Sequence, residues 1–312
     1  MAIVSIVMPT YNGEKYIAQQ LQSLSEQTFK DFKLIVTDDN SSDNTISVIK
    51  QFKDKFEIKI VKNEKNLGYN KNFEKAISLA DTEYIAMCDQ DDIWHKDKLS
   101  LLLENIKENS LIYANSHLID EDGTSLGISL SQKLKSNFIS THSVLPFIYA
   151  NCVSGHASLF KKELIPYILP FPKKIYYDLW IAVNAASLNG VKYLDKDLVD
   201  YRQHVNSVVT KEKLNKKKDK PKRVNKREKL HTDSIDTIEE ILKSKLLKED
   251  ERKLLEQLKL EHSTYGENWI NPALFSLLNK NKNKIFAISP KTYIKILRKY
   301  YFSKYTYKYF PI

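Results

Sequence analysis

The sequence predicts an α/β protein with a mixed, mainly parallel sheet that is flanked by helices. Short apolar runs rich in β-branched residues alternate with segments of helical periodicity through residues 1–92. Strands separated by helices of about ten residues form right-handed βαβ units in a parallel sheet. Three of the runs end in polar clusters, and ligands bind such sheets at the carboxyl ends of the strands. The pattern therefore predicts one ligand site at one edge of the sheet.

The elements alternate regularly along the chain. The predicted strands are Ile3–Met8, Phe32–Thr37, Glu57–Lys62 and Tyr84–Cys88. The predicted helices are Glu14–Gln27, Thr45–Phe52 and Asn70–Ala80, with turns at Asn12–Gly13 and Asn66–Gly68. The polar clusters that follow the first, second and fourth strands are Pro9–Asn12, Asp38–Asp43 and Asp89–Asp92.

Composition excludes several classes of protein. The 312 residues are 42% hydrophobic and 28% charged, which is typical of a folded chain and excludes disorder over the whole length. Cys88 and Cys152 are the only cysteines, too few for a disulfide framework, and they fit a reducing compartment. The N-terminal apolar run stops at Pro9, and no stretch reaches the roughly 20 apolar residues of a spanning helix. We therefore expect neither a signal peptide nor a membrane span.

The positive charge lies in the C-terminal third of the chain. Residues 1–210 carry 23 basic and 26 acidic residues, a net charge of −3. Residues 211–230 carry 11 Lys/Arg against 3 Asp/Glu, a net charge of +8, and residues 268–312 carry 9 Lys/Arg and no acidic residue. This asymmetry indicates an acidic partner, either anionic lipid or nucleic acid.

The Asp89–Asp92 cluster predicts a divalent metal site. Three carboxylates within four residues repel one another unless a cation neutralises them. Mg²⁺ and Mn²⁺ take oxygen ligands from carboxylates and substrate phosphates. The alternative is that Asp92 caps a helix over Ile93–Lys107. The buried strand before the cluster and Trp94 after it favour the metal.

The pair Asp38–Asp39 ends the second strand in the same way. A carboxylate there is suited to accept a hydrogen bond from a ribose hydroxyl or a base N–H. The alternative is capping of the next helix by Ser42 or Asp43. The two interpretations use different residues and are compatible.

Four segments together, in order and separation, resemble the family 2 glycosyltransferases of the Rossmann-like GT-A fold. They are Ile6–Asn12, Asp38–Thr45, Asn66–Gly68 and Asp89–Trp94. The resemblance covers about residues 1–210. Asn40 stands where the family more often has Gly, a change that a residue tolerant of the left-handed region absorbs.

The resemblance implies a donor site and a metal site. The implied donor-binding residues are Pro9, Thr10, Tyr11, Asn12, Asp39, Gly68, Asp89 and Arg202, with Asp39 on the base. The implied ligands of Mn²⁺ or Mg²⁺ are Asp91, Asp89 and His204, with Asp91 the direct ligand. The metal would bridge the diphosphate and stabilise charge on the leaving group.

The implied general base is Asp178. It precedes the apolar run Leu179–Leu188, and in the family an acidic residue at such a helix start takes the proton of the acceptor hydroxyl. Tyr177 stands where the family often has Glu or His. The alternative for Asp178 is a helix N-cap. Ser154–Ala157 is predicted as a strand edge near the acceptor, with His156 structural, and Tyr201–Ser207 is expected to close over the diphosphate.

A narrower resemblance concerns Cys88–Trp94 together with Tyr201–His204. These segments are similar to bacterial rhamnosyltransferases of surface-polysaccharide assembly. That implies dTDP-rhamnose as donor and a saccharide or lipid-linked saccharide as acceptor, and a UDP-hexose donor stays open. It also implies a cytoplasmic protein on the inner face of the cytoplasmic membrane.

The predicted organisation is a catalytic domain at 1–210, a basic linker at 211–230 and a helical region at 231–312. Two helices are expected within Ile235–Leu260, packed on the catalytic domain or on another subunit of a homo-oligomer. After Asn281, Lys/Arg and aromatic residues mix, which fits a peripheral membrane contact or tyrosines packed on the core. No helix-turn-helix, zinc-finger or RNA-binding signature accompanies the charge, so we expect no nucleic-acid partner.

The leading hypothesis is an inverting, metal-dependent transferase. A nucleotide-sugar-binding subunit without catalysis is the second hypothesis, and the presence of both Asp91 and Asp178 argues against it. A basic nucleic-acid-binding protein is the third.

Overall fold

A computed structural model describes residues 2–204, 226–264 and 271–301. Within these ranges, nine strands form one sheet. They are β1 (Val4–Thr10), β2 (Phe32–Asp38), β3 (Glu57–Lys62), β4 (Tyr84–Met87), β5 (Ile93–Trp94), β6 (Leu111–Ile119), β7 (Ser125–Ser129), β8 (Ser158–Lys161) and β9 (Val191–Arg202). The helices are α1 (Glu14–Ser25), α2 (Thr45–Lys50), α3 (Tyr69–Ser78), α4 (Lys98–Ile106), α5 (Leu130–Leu134), α6 (Ile165–Ile168), α7 (Tyr177–Leu188), α8 (Lys226–Leu242), α9 (Glu249–Ser263), α10 (Pro272–Lys280), α11 (Lys282–Ile285) and α12 (Pro290–Tyr301).

The sheet is mixed, with a parallel half and a partly antiparallel half. Its order is β3-β2-β1-β4-β8-β6-β9-β5, and β7 pairs with β6. The first four of these strands are parallel, and β8 lies antiparallel to both of its neighbours. The carboxyl ends of β1, β2 and β4 therefore meet at one edge, as predicted. The α/β fold class is confirmed.

Hydrophobic residues of β1 and β2 face both sides of the sheet. Ile6 and Met8 belong to a core with α1 and α4, whereas Val7 belongs to a core with α3 and α7. Residues two apart on a strand share a face, and helices cover both faces, so the strands read as continuous apolar runs. The edge that carries the polar clusters is left for a ligand.

One alternative interpretation and one local prediction were wrong. The helix predicted over Ile93–Lys107 begins only at Lys98, because Ile93 and Trp94 form the short strand β5 with β9. Asp92 therefore caps no helix. The strand edge predicted at Ser154–Ala157 is a 3-10 turn at Gly155–Ala157 that leads into β8.

The C-terminal helices pack on the same core as α7. The predicted pair of helices is present as α8 and α9, although α8 begins at Lys226, inside the predicted linker 211–230. Ile238, Ile241 and Leu258 are fully buried in the core that contains Trp180. A helical C-terminal extension is thus confirmed. The rest of the linker and residues 302–312 lie outside the described residues.

Aromatic residues of the C-terminal region also pack inward. Phe286 stacks on Tyr149 at 5.3 Å, and Tyr293 contacts Phe286 and donates a hydrogen bond to Asn279. Packing on the core is therefore observed for these two of the predicted aromatic residues. Among the described helices, none combines the length and the hydropathy that crossing a membrane requires.

Candidate functional site

The turn after β2 is held together by its own carboxylates. Asp38 is fully buried and accepts hydrogen bonds from the Thr10 hydroxyl at 2.9 Å and from both the backbone N–H and the hydroxyl of Ser41. These bonds join the end of β1, including Pro9 and Thr10, to the end of β2. Asp38 is a structural group of the site edge.

Asp39, the predicted base-binding residue, organises a neighbouring loop. Its carboxylate accepts from Leu67 N at 2.7 Å, Gly68 N at 2.9 Å and Asn63 Nδ2 at 2.8 Å. Gly68 has a φ of +83° with open space around its Cα, so backbone conformation alone requires glycine there. Asn40 has a φ of +64°, as its tolerance of the left-handed region predicted.

Tyr11 and Asn12 are fixed by two different turns. The backbone N–H and carbonyl of Tyr11 pair with the Gln90 side-chain amide at 3.0 and 3.1 Å, and Asn12 Oδ1 accepts from Ser42 N at 2.9 Å. A Cβ on Gly13 would lie 2.3 Å from Gln90 Oε1. The sequence analysis did not predict this role for Gln90. Its position between Asp89 and Asp91 was the feature that could have indicated it.

The acidic turn after β4 divides into two groups. Ligand atoms of Asp89, Asp92 and His156 lie within 4.8 Å of one another. Asp91 Oδ2 lies 2.8 Å from His204 Nε2. The predicted metal set Asp91, Asp89 and His204 is thus split between two adjacent clusters, and Asp92, which was not in that set, belongs to the first.

The residues of this turn fit a divalent cation. Asp92 is fully buried, and while its Oδ1 accepts from Arg202 N, its Oδ2 has no partner among the described residues. His204 Nδ1 is likewise buried without a partner there. Buried carboxylate oxygens without donors are costly unless paired, and oxygen-rich sets of this kind suit Mg²⁺ or Mn²⁺.

The charges of the turn disturb one another. Burial, and then the negative charges of Asp91 and Asp178, raise the pKa of Asp89 well above its usual range. Burial first, and then Asp91, raises the pKa of Asp92 in the same way. In the absence of a cation, both carboxyls therefore resist ionisation.

A buried lysine lies beneath the acidic turn. Lys98 Nζ sits 3.3 Å from the centre of the Trp94 ring and donates to the carbonyl of His156. Burial lowers the pKa of Lys98 to about 7, although Cys88, Asp92 and Asp89 oppose the shift. Burial also lowers the pKa of His156 to about 3, so its imidazole is neutral and bonded to the Ser116 hydroxyl at 2.8 Å. Sequence patterning gave no signal for Lys98, since lysines are usually exposed.

Arg202 is a positioning residue for the acidic turn. It is 2% exposed, and its guanidinium donates to the carbonyls of Asp91 and Glu121 at 2.9 Å and to Gln19 Oε1 at 2.6 Å. A buried guanidinium bound to protein oxygens is not available to a phosphate. These contacts therefore differ from the predicted donor contact, because they tie β9 to the turn.

Asp178 lies in the first turn of α7, with Tyr176 at the N-cap position, so it is not the N-cap. It is half-buried, and its Oδ1 accepts from Leu179 N at 2.7 Å. Burial raises the pKa of Asp178 to about 7. Its charge contributes, after burial and Asp91, to the raised pKa of Asp89.

Tyr177 is a packing residue beside this candidate base. It stacks on Phe73 at 4.3 Å, and its hydroxyl fills the position 2.0 Å from where a Cβ of Gly155 would lie. Burial raises its pKa well above the usual range. An acidic side chain at this position would be buried among aromatic rings.

The chain has recognisable relatives. Residues 5–168 match the pattern of the family described as glycosyl transferase family 2. Over 185 residues the chain is 32% identical to the Escherichia coli UDP-Glc:alpha-D-GlcNAc-diphosphoundecaprenol beta-1,3-glucosyltransferase WfgD, covering 58% of this chain and 69% of that protein.

Two solved structures share the fold. The S. aureus protein TarS in complex with UDP-GlcNAc has a TM-score of 0.60 at 20% identity, covering 95% of this chain and 84% of that one. The Pyrobaculum calidifontis mannosyltransferase PcManGT in complex with GDP-Man and Mn²⁺ has a TM-score of 0.53 at 14% identity, with coverages of 95% and 84%. At these identities the likeness concerns the fold, and it agrees with the GT-A expectation.

Proposed function

Because the chain belongs to glycosyl transferase family 2, we propose that it transfers one sugar from a nucleoside-diphosphate donor to a lipid-linked saccharide, with inversion and with a divalent metal. The proposal assigns catalysis to residues 1–210 and a supporting role to 231–312. Surface-polysaccharide assembly is the proposed pathway, on the inner face of the cytoplasmic membrane.

The observation that carries the proposal is that Asp178 and the acidic turn share one edge. The Tyr177 hydroxyl, next to Asp178, lies against Gly155. The adjacent His156 belongs to the cluster with Asp89 and Asp92, so the candidate base lies beside the candidate metal and diphosphate site. An inverting transfer needs this arrangement, because the acceptor oxygen attacks from the side opposite to the leaving diphosphate.

The proposed metal ligands are Asp91 and His204, with Asp89 completing the set. The pair at 2.8 Å and the unpartnered His204 Nδ1 support this assignment. When bound, Mn²⁺ or Mg²⁺ would neutralise charge on the diphosphate as the bond to the sugar breaks. Arg202 and Gln90 hold the turn and the Tyr11 backbone in place beneath the donor.

Asp178 is proposed to take the proton of the acceptor hydroxyl. The hydroxyl oxygen then forms a bond to the anomeric carbon, and the bond from that carbon to the nucleoside diphosphate breaks. A pKa of about 7 leaves the carboxylate basic enough to accept this proton near neutral pH. Thr10, Asp39 and Gly68 are proposed to border the nucleoside.

The proposed donor is a UDP-linked hexose, ahead of dTDP-rhamnose. The name of WfgD describes transfer from UDP-Glc to a diphosphoundecaprenol-linked sugar with a β-1,3 linkage, and TarS was crystallised with UDP-GlcNAc. UDP-glucose carries its sugar in α linkage, so a β product corresponds to inversion. These relatives support a uridine donor and a lipid-linked acceptor for this chain.

The test is calorimetry with UDP, dTDP and GDP, each with and without Mn²⁺, followed by a transfer assay with the matching sugar donors. We expect Mn²⁺-dependent binding of UDP and release of UDP when an acceptor is supplied. Binding without turnover for any acceptor would instead identify a nucleotide-sugar-binding subunit. Binding of none of the three nucleotides would overturn the proposal.

A further inference from the structure

Strand β7 and helix α5 expose three large aliphatic side chains. Leu126, Ile128 and Leu134 are 45%, 42% and 49% exposed. Leu126 and Ile128 flank Gly127, whose φ of +67° falls where the pairing of β7 with β6 shifts register, and Ser125–Ile128 is exposed throughout. A capping box between Ser129 and Gln132 fixes the start of α5. The aliphatic residues are therefore presented by ordered elements.

The charged side chains within residues 124–144 have one sign. No Asp or Glu occurs between Thr124 and Val144, and the exposed Lys133 and Lys135 flank Leu134. Two of the three acidic residues of the preceding turn are engaged elsewhere, whereas Asp122 is exposed. Glu121 forms an ion pair with Lys15, and the Asp120 carboxylate accepts backbone hydrogen bonds within the turn. We call Leu126, Ile128, Leu134, Lys133 and Lys135 the β7–α5 surface.

A second element of the same composition adjoins this surface. Asn137 donates hydrogen bonds from its backbone N–H to Ile288 O at 2.7 Å and from its side chain to Ala287 O at 3.1 Å. Helix α12 begins shortly afterwards, at Pro290. On its outer face, Lys291, Ile294 and Lys295 follow the helical i, i+3, i+4 spacing, and Ile294 is 53% exposed.

The β7–α5 surface begins beside the candidate active site. Lys133 Nζ donates to Gln203 Oε1, and Gln203 precedes the proposed metal ligand His204. The turn before β7 accepts from the Arg202 guanidinium through the Glu121 carbonyl. Whatever binds this surface is therefore held close to the acidic turn.

We propose that the β7–α5 surface, together with the outer face of α12, docks on an anionic lipid bilayer. The inference rests on the proposed function, because a lipid-linked acceptor keeps its saccharide at a bilayer. Aliphatic side chains enter the headgroup region while neighbouring lysines neutralise anionic lipid, which is the combination that this surface offers.

A second copy of the chain fits this surface less well. A two-fold contact would bring Lys133 and Lys135 of both copies together, and like charges repel. A stable interface also needs about 800 Å² from each partner, more than three aliphatic side chains supply.

The test is co-sedimentation of the full chain with vesicles of phosphatidylglycerol and phosphatidylcholine in equal amounts, and with phosphatidylcholine alone. We expect sedimentation with the anionic vesicles only, weakened by salt. The double variant Leu126→Ser/Ile128→Ser should lower the partition coefficient about tenfold or more. The control Leu260→Ser changes a side chain that is 62% exposed on α9 and should leave partitioning unchanged.

UDP binding in the presence of Mn²⁺, measured on the same samples, separates this inference from the proposed function. A double variant that binds UDP normally but leaves the vesicles supports both. A wild-type chain that binds UDP and ignores anionic vesicles overturns the docking surface alone, whereas vesicle binding without UDP binding overturns the function alone.

Two further outcomes would overturn the assignment of the surface. If only Ile294→Ser releases the chain from vesicles, the contact is made by α12 without β7 and α5. If the double variant instead dissociates a dimer in sedimentation equilibrium with vesicle binding intact, a second copy occupies the surface.

Discussion

Two acidic turns lie at the same edge of the sheet, and they differ in how their carboxylates are satisfied. In the turn after β2, Asp38 and Asp39 accept hydrogen bonds on every carboxylate oxygen, all from protein donors. In the turn after β4, Asp92 Oδ2 has no partner among the described residues, and burial together with neighbouring charge raises the pKa of Asp89. Similar sequence patterns thus form a structural scaffold in the turn after β2 and a candidate cation site in the turn after β4.

The difference lies in the number of N–H and O–H donors close to each turn. The first turn is followed by serines and faces the backbone of the loop at Gly68, which supply donors. The second is followed by the apolar pair Ile93 and Trp94, and the buried Lys98 beneath it donates to the carbonyl of His156. A turn whose buried carboxylates lack donors is the one in which a bound cation would lower the cost of the charge.

The largest expected effect is on the transfer rate, and it tests the proposed base that lies beside the turn after β4. Replacing Asp178 by Asn removes the proposed base and should lower the transfer rate about 10³-fold, with UDP binding retained. Rates with a saturating donor measure this loss. The matched control is Asp54→Asn, the same substitution at an exposed position, and circular dichroism checks that both variants fold. A transfer rate within about threefold of wild type would remove Asp178 from the mechanism.

The next largest effect is on stability, and it tests the scaffold role of the turn after β2. Replacing Asp39 by Ala leaves Leu67 N, Gly68 N and Asn63 Nδ2 without their acceptor, and the free energy of unfolding should fall by about 3 kcal/mol. Urea denaturation measures it. Unchanged stability together with lost UDP binding would move Asp39 from the scaffold to the ligand site.

The pH dependence sharpens the role of Asp178. Burial raises the pKa of Asp178 to about 7, and only the ionised carboxylate accepts a proton. The transfer rate should therefore reach its plateau above about pH 8 and fall about tenfold per unit below pH 7. A profile that stays flat down to pH 5 contradicts the assignment.

The smallest effect compares the stability of the two turns. The pKa of Asp89 is higher in the folded than in the unfolded chain. The contribution of protonated Asp89 to the free energy of unfolding is therefore fully present below about pH 4 and is lost as the pH rises through the folded-state pKa. Asp89→Asn should therefore raise the free energy of unfolding by about 1 kcal/mol at pH 8 without divalent metal, and leave it unchanged at pH 4. Asp38→Asn should instead lower the free energy of unfolding. A rise equal to that of Asp89→Asn would show that the two turns do not differ in this way.

The sequence predicted the sheet edge better than the contacts along it. Alternating apolar runs and helical periodicity are local signals, and so is the left-handed tolerance of Asn40, whose φ is +64°. The helix-cap alternative for Asp92 stayed open in the sequence because the pairing of Ile93 with Asp200 joins residues far apart in the chain. The burial of Lys98 and of Arg202 depends in the same way on elements that meet only in the fold.

The most direct measurement is titration of the full chain with Mn²⁺ in the presence of UDP, for the wild type, Asp91→Asn and Asp38→Asn. The account predicts that the wild type and Asp38→Asn bind Mn²⁺ and that Asp91→Asn binds it at least about 100-fold more weakly. Equal Mn²⁺ binding by Asp91→Asn, or loss only in a folded Asp38→Asn, would contradict the division of the edge into a scaffold turn and a metal turn.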